Sequence, residues 1–245
     1  MGVAYGSSTI YQATKGIVQD GLVLNLDAGV KESYNGGTTW RDLAGGNNGT
    51  LTNMTDNFDS ANGGSLTFDG SNEIVNIGSV GTEMYSAGCW VYLNSTITSS
   101  SSQMQLFQYG ETGNTNPGIT FGSSTGYMSG ETLTILSRDG NPGAGQGYKR
   151  TGITANIAAG WNYITFNWNG SHYDILINSI SKSLISSSNA GHSPLVSLDD
   201  LVLGYGFKQE NLFTGRIACF SVYNRALTAT EVAQNFNVTR HRFGI

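Results

Sequence analysis

Charge is scarce in this chain. Asp, Glu, Lys and Arg together make 12% of its 245 residues, about half the share of an ordinary globular domain. Long surface helices need Glu, Lys, Arg and Ala, so an all-α fold is excluded. Proline (3) and cysteine (2) are scarcer still. Two cysteines rule out a disulfide framework; Cys89 and Cys219 lie in apolar, strand-like runs and read as small buried hydrophobes, with a single bridge between them left open. No run of roughly 18 or more apolar residues occurs, so no membrane-spanning helix is expected. The opening Met1-Gly2-Val3-Ala4-Tyr5-Gly6 lacks the basic and then apolar stretches of a secretion signal. Seventeen acidic residues against twelve basic ones give a net charge of -5, and no basic run is long enough to follow a phosphate backbone. A soluble chain without nucleic-acid or membrane partners is expected.

What is abundant is Gly (34 residues) together with Ser, Thr and Asn. That composition favours short strands joined by many turns. Strand signals bounded by turn formers fall at 22–26, 65–68, 73–77, 87–93, 104–109, 118–121, 133–136, 161–168, 173–177, 198–203 and 213–223. They succeed one another without helical periodicity, which predicts antiparallel sheets packed as a sandwich. In the late hairpin, Ile164, Phe166 and Trp168 share one face with Tyr173, Ile175 and Ile177, leaving Tyr163, Thr165, Asn167, Asp174 and Leu176 on a wetter face. Asn169-Gly170 supplies its turn. One helix is specified, by the capping box Thr228-Ala229-Thr230-Glu231 with Leu227 and Val232 as a hydrophobic staple. It is expected to end near Asn237. The Ser-rich stretches 98–102 and 183–189 read as loops, and the division predicted is an arm over 1–20, one domain over 21–238 and a tail over 239–245.

Several ordered motifs resemble one known family. Gly21-Leu22-Val23-Leu24-Asn25-Leu26-Asp27-Ala28-Gly29, then Thr38-Thr39-Trp40-Arg41-Asp42-Leu43 with Asn47-Asn48-Gly49-Thr50-Leu51, then Gly63-Gly64-Ser65-Leu66-Thr67-Phe68-Asp69-Gly70, resemble the opening of laminin-G-like domains of the concanavalin A-like lectin/glucanase superfamily. The run from Gly215 through Tyr223-Asn224-Arg225-Ala226-Leu227-Thr228 resembles the family's last strand and its exit into a short helix. The resemblance implies an all-β, two-sheet antiparallel jelly-roll sandwich with one short C-terminal helix. The segment before residue 21 and the ending through Arg240-His241-Arg242-Phe243-Gly244-Ile245 resemble structural proteins of tailed bacteriophages. That second resemblance implies a non-enzymatic virion component, a capsid decoration or a head or tail fibre protein, packed against other virion proteins and against copies of itself, a trimer being one arrangement that virion architecture allows.

The alternative function is a lectin-like adhesin binding host-surface polysaccharide, and a glucan hydrolase is the third. Glucan-cleaving relatives carry closely spaced acids on one strand; this sequence has neither Glu-x-Asp-x-Glu nor Glu-x-Asp-x-x-Glu, and its adjacent pair Asp199-Asp200 points to opposite faces of any strand. The protein is therefore expected not to be an enzyme. Gly122-Ser123-Ser124-Thr125-Gly126 matches a nucleophile-elbow pattern without the helix that must follow it, and Gly143-Ala144-Gly145-Gln146-Gly147-Tyr148-Lys149 lacks the Gly-Lys-Ser/Thr of a phosphate loop. His172, His192 and His241 have no partner at zinc-ligand spacing. No cofactor is expected, with calcium the cation that the family resemblance implies: Asp27, Asp42, Asn47 and Asp69 fall in the matching motifs, their other reading being as turn formers. For a sugar, an aromatic ring beside amides and carboxylates is needed, and Tyr163, Asn167 and Asp174 are the candidates; the competing reading has their face covered by loops or a neighbouring subunit.

Overall fold

The structure, a computed structural model, describes residues 16–109, 118–122, 130–138, 148–185, 194, 200–205 and 211–245. The arm expected over 1–20 lies outside the described residues except for its last five, as do the elbow-like residues 123–126, Gly143 to Gly147, His192 and Asp199.

Alternating apolar residues dictate strands, and the strands assemble into two antiparallel sheets. In chain order they are β1 (Leu22–Asp27), β2 (Thr39–Trp40), β3 (Gly49–Thr52), β4 (Phe58–Asp59), β5 (Ser65–Asp69), β6 (Ile74–Gly78), β7 (Ser86–Leu93), β8 (Met104–Gln108), β9 (Gly118–Phe121), β10 (Leu133–Arg138), β11 (Tyr148–Ile153), β12 (Gly160–Trp168), β13 (Tyr173–Ile177), β14 (Ile180–Ser181), β15 (Leu184–Ile185), β16 (Leu201–Leu203) and β17 (Thr214–Tyr223). The first sheet has the order β14-β13-β12-β7-β17-β5-β4, with β1 also paired to β17; the second runs β15-β11-β10-β9-β8-β16-β6-β3-β2. The expected jelly-roll sandwich is observed. β17 organises the first sheet: Thr214–Ile217 pair with β5, and after a register shift at Ala218 the stretch Cys219–Tyr223 pairs with β1. The bulge thus lets one long strand serve two partners on the same side.

The two inner faces meet in one core of aliphatic and aromatic side chains, including Leu24, Leu26, Trp40, Leu66, Phe68, Phe107, Phe121, Ile164, Phe166, Ile175, Phe213 and Phe220. The predicted inward face of the late hairpin is confirmed, since Ile164, Phe166, Trp168, Tyr173, Ile175 and Ile177 all join this core. Its loop is longer than the Asn-Gly signal implies: Trp168 pairs with Tyr173, and the Asn169 carboxamide oxygen accepts from the N–H groups of Ser171 and His172 to close four residues. Residues 184 and 185, read from sequence as loop, pair with β11.

The opposite face of that hairpin is covered around Tyr163 and Thr165, and only its tip at Asp174 faces solvent. Helix α1 (Ala229–Thr239) and the 3-10 turn after it (Arg240–Phe243) lie across it. Trp90, Trp161, Tyr163, Ala218, Phe236 and Phe243 form a second apolar cluster there, leaving Tyr163 only 4% exposed. Both halves of the capping box form, and Leu227 and Val232 are buried together with Val18 and Tyr223. Residues 16–18 join this layer: Val18 N–H donates to the Asn235 side chain (2.8 Å), and the Gln234 amide donates to the Gly16 carbonyl (2.9 Å). The helix runs two residues past the expected Asn237, and the chain beyond it packs rather than trailing. Phe243 stacks on Trp90 with ring centroids 4.2 Å apart. Beside this segment the backbone after β1 comes close to the backbone before β5, with the Arg242 side chain against both: a Cβ on Gly29 would lie 2.1 Å from an Arg242 guanidinium nitrogen and 2.2 Å from the Gly63 carbonyl, so only glycine fits.

Candidate functional site at the sandwich edge

The residues singled out from sequence separate in space. Tyr163 faces Trp90 at 5.2 Å beneath α1, and burial pushes its phenol pKa well above 10; a ring so enclosed offers no stacking surface. Asn167 braces the helix entry, donating to the Leu227 carbonyl (2.9 Å) and accepting from Leu227 N–H (2.8 Å). Asp174 sits at the hairpin tip, accepting from Asn169 (3.0 Å) and lying 3.5 Å from His172. The proposed sugar platform is therefore corrected: the C-terminal layer has filled its aromatic part and tied up its amide.

The four residues matched to calcium motifs are also engaged locally. Asp42 caps a loop, its carboxylate accepting from the N–H groups of Asn25, Ala44, Gly45, Gly46 and Asn47 at 2.8–3.0 Å. Burial raises this carboxyl, but the backbone N–H groups outweigh burial and hold its pKa below the ordinary value. Asn47 donates to the Val23 carbonyl. Asp27 pairs with Arg242, and Asp69 accepts from Ser71 N–H (2.7 Å) while its own N–H donates to Glu73 (3.2 Å). These are the roles of turn formers. Among the described residues, no group of three or more His, Cys, Asp and Glu is arranged to hold a metal.

Two further clusters carry catalytic residue types. Ser171, His172 and Asp174 form a chain, with Ser171 Oγ 2.8 Å from His172 Nδ1 and His172 Nε2 3.5 Å from Asp174. All three stand at a solvent-facing hairpin tip where the Ser171 hydroxyl also donates to Asn169 (3.1 Å), and the set works as a turn-stabilising network. Glu131, 2% exposed on the outer side of the second sheet, accepts from Thr134 and lies 3.4 Å from Arg150. A Cβ on Gly152 would stand 2.5 Å from its carboxyl carbon, so the glycine makes the room this acid occupies. The cysteines are unbridged: Cys89 pairs in register with Phe220 and points into the core, whereas Cys219 pairs with Trp90 and points under α1. Burial, then Asp27, pushes the Cys219 thiol up to about 12.

Three concavities bear on function. A cleft of about 660 Å³ lies between β1 and α1, lined by Asn25, Asp27, Tyr163, Ser221, Asn235 and His241 among others. A shallow groove runs past Tyr85, Trp168, Asn169 and Arg225. The third, about 350 Å³, opens at the edge of the sandwich between β2–β3 of one sheet and β4 of the other, and its lining includes Tyr34, Thr38, Asn53, Thr55, Asp56 and Phe58. Of the three, only the edge cleft has among its lining residues a Phe, Tyr or Trp ring more than a third exposed: Phe58, at 44%; the cleft beside α1 has the exposed imidazole of His241. Phe58 leans on Tyr34 with centroids 5.5 Å apart, and Tyr34, 8% exposed, is fixed by donating to the Gly37 carbonyl (3.2 Å). Burial first, and then the Asp56 carboxylate, raise the Tyr34 phenol pKa above 10. Asn53 and Asp56 both have left-handed backbones (φ 58° and 59°), and Asn53 is anchored by donating to the Asn72 carbonyl (3.2 Å). The arrangement is one exposed ring with an acid, an amide and two threonines around it, on a rigid core wall of Leu51 and Met54. Sequence reasoning missed this site. Its one signal is an aromatic residue closing a run of turn formers, Asn53-Met54-Thr55-Asp56-Asn57-Phe58, in a chain where turn formers are everywhere.

Comparison with known proteins places the fold, though not the edge cleft, in a family. The laminin-G model described as concanavalin A-like lectin/glucanases superfamily matches residues 62–233. No curated protein matches the chain significantly. Among solved structures, domain 4 of AbnA, a GH43 extracellular arabinanase from Geobacillus stearothermophilus in complex with arabinotriose, superposes with TM-score 0.60 at 16% identity over 89% of this chain and 98% of that domain. The botulinum neurotoxin serotype D ligand binding domain in complex with N-acetylneuraminic acid gives TM-score 0.56 at 16% identity, covering 90% of this chain and 51% of that one. Trypanosoma rangeli sialidase in complex with the inhibitor DANA gives 0.55 at 13% identity, covering 87% of this chain; the present chain spans 32% of the sialidase. At such identities the superpositions show a shared fold. The sequence match over most of its length shows more: this chain belongs to the concanavalin A-like lectin/glucanase superfamily.

Proposed function

We propose that this protein is a non-enzymatic carbohydrate-binding module that takes saccharide at the edge cleft. The observation that carries the reading is the exposed face of Phe58 on the rigid Tyr34 wall, with Asp56, Asn53 and Thr38 around it. A pyranose or furanose presents a C–H face that stacks on an aromatic ring and a rim of hydroxyls that pairs with carboxylates and amides. The cleft offers both, in a volume suited to one or two sugar rings. Two of the structurally similar proteins support the reading by being complexes with saccharides, arabinotriose and N-acetylneuraminic acid. Hydrolysis of a glycosidic bond requires two carboxyl groups flanking it; the cleft is lined by one, Asp56.

A glycan array probed with the intact protein, with and without chelator, and with the Phe58→Ala variant tests this function. Binding to one or more saccharides that the variant loses, and that chelator leaves unchanged, is expected. Silence across diverse glycans overturns it. The setting proposed for the module is the surface of a phage particle, following the resemblance of the two chain ends. Mass spectrometry of purified particles tests the setting separately, and absence of the protein there refutes it.

A further inference from the structure

We infer that the edge cleft takes an uncharged saccharide and turns sialic acids away, an inference that rests on the carbohydrate-binding reading above. The charge of the site carries it. Of the described residues lining the cleft, Asp56 is the charged one, and none is Lys or Arg. A sialic acid carries a carboxylate that has to be desolvated, and such groups are met by guanidinium or ammonium donors. Of the arginines beside the cleft strands, Arg216 is paired with Asp59 and lies over the Tyr92 ring at 4.3 Å, and Arg41 is an exposed side chain that donates to Asn35 (3.1 Å) and is not part of the lining. A carboxylated sugar seated on Phe58 would face Asp56 with like charge, within a chain whose net charge is already -5.

The same acid suits a neutral sugar. A carboxylate has two acceptor oxygens and no donor, so it can accept from two neighbouring hydroxyls of one ring. The opposite wall leaves space for that ring: Gly36 and Gly37 have positive φ (97° and 80°), and a Cβ added to either would meet nothing within 4 Å. The two glycines therefore mark open room, and a larger side chain there would project into free space beside the cleft.

Isothermal titration of the full chain decides the matter, with arabinotriose and other neutral trisaccharides as one set of probes and N-acetylneuraminic acid as the other, at low and high salt. For the wild type, binding of at least one neutral probe is expected, weakened about tenfold by Phe58→Ala. N-acetylneuraminic acid is expected to bind at least about fivefold more weakly than that probe, with the gap narrowing at high salt or in Asp56→Asn. Asn accepts the left-handed backbone at position 56, so this variant keeps the test open if Phe58→Ala fails to fold. Equal or tighter binding of N-acetylneuraminic acid, lost on changing Phe58, overturns the charge argument and leaves carbohydrate binding standing. Absence of heat from every probe brings down the carbohydrate reading itself.

Discussion

Arg242 and Asp27 stand 215 positions apart in sequence, yet a guanidinium nitrogen of one lies 2.7 Å from a carboxylate oxygen of the other. Their side chains are 17% and 15% exposed, so the pair fastens the C-terminal turn to the exit of β1 in a largely dry setting. Around it, the Asn62 amide fits between Trp161 and the Arg242 carbonyl, and Thr239 accepts from Trp90 Nε1 (2.8 Å). The last turn of the chain thus closes the outer face of the first sheet.

Removing one partner of such a pair strands a partly buried charge. Arg242→Ala is expected to cost about 2 kcal/mol of stability, below the value for a fully buried pair because water still reaches this one. Urea denaturation of Arg242→Ala, Asp27→Asn and the double variant measures it. The double variant should lose clearly less than the sum of the singles, and strict additivity would show that the two side chains do not interact.

Phe243 is 7% exposed and stacks on Trp90, with Trp161 at 4.6 Å. Phe243→Ala is expected to cost about 3 kcal/mol and to wet both indoles. A red shift of tryptophan emission in the folded variant is the readout. An unshifted spectrum would mean that the C-terminal turn does not shield them.

The capping box gives a pH dependence. Hydrogen bonds first from Arg225 and then from the Thr228 N–H hold the Glu231 carboxyl down at about 2, against 4.5 unperturbed. A depressed folded-state pKa stabilises the protein fully above the unfolded value, and that stability is lost as pH falls from about 4.5 through about 2. Glu231→Gln should be less stable than wild type at neutral pH and should converge with it toward pH 2. Parallel stability curves for the two proteins across that window would contradict the assignment. Thr228→Ala removes the other half of the box and is expected to cost about 1 kcal/mol.

Much of this fold is readable from the sequence where burial alternates. Leu22 to Leu26, the Tyr163 to Ile177 hairpin and Phe213 to Tyr223 announce themselves because one face of each is in the core. The two-residue strands β2, β4, β14 and β15 carry too few positions for a period to show. The outward face of β12 is the instructive failure. Tyr163, Thr165 and Asn167 alternate as a wet face should, yet Tyr163 and Thr165 are buried beside a layer supplied by residues 16–18 and 227–243, distant in sequence, and Asn167 is half-buried and bonded to Leu227 in that layer. For the same reason the edge cleft was hidden. It is formed by β2, β3 and β4 brought together from opposite sheets, which no local pattern encodes.

The antiparallel pairing of β7 with β12 yields a further test. A Cβ on Gly88 would lie 2.2 Å from the Tyr163 hydroxyl and 2.9 Å from the carbon that bears it. Gly88→Ala is expected to cost about 1–3 kcal/mol by overpacking. Adding Tyr163→Phe removes the nearer atom and should restore part of the loss in thermal denaturation. If the second change deepens the loss instead, the ring does not lie over Gly88.

The most direct measurement is the map of amide shifts in the nitrogen-15-labelled protein as a bound saccharide is titrated in. The changes are predicted to concentrate at residues 34–38 and 53–58, with the hairpin tip at 169–174 and the C-terminal turn unmoved. Shifts centred on the groove beside Trp168, on the outer face of the second sheet, or nowhere at all would contradict the placement of the site.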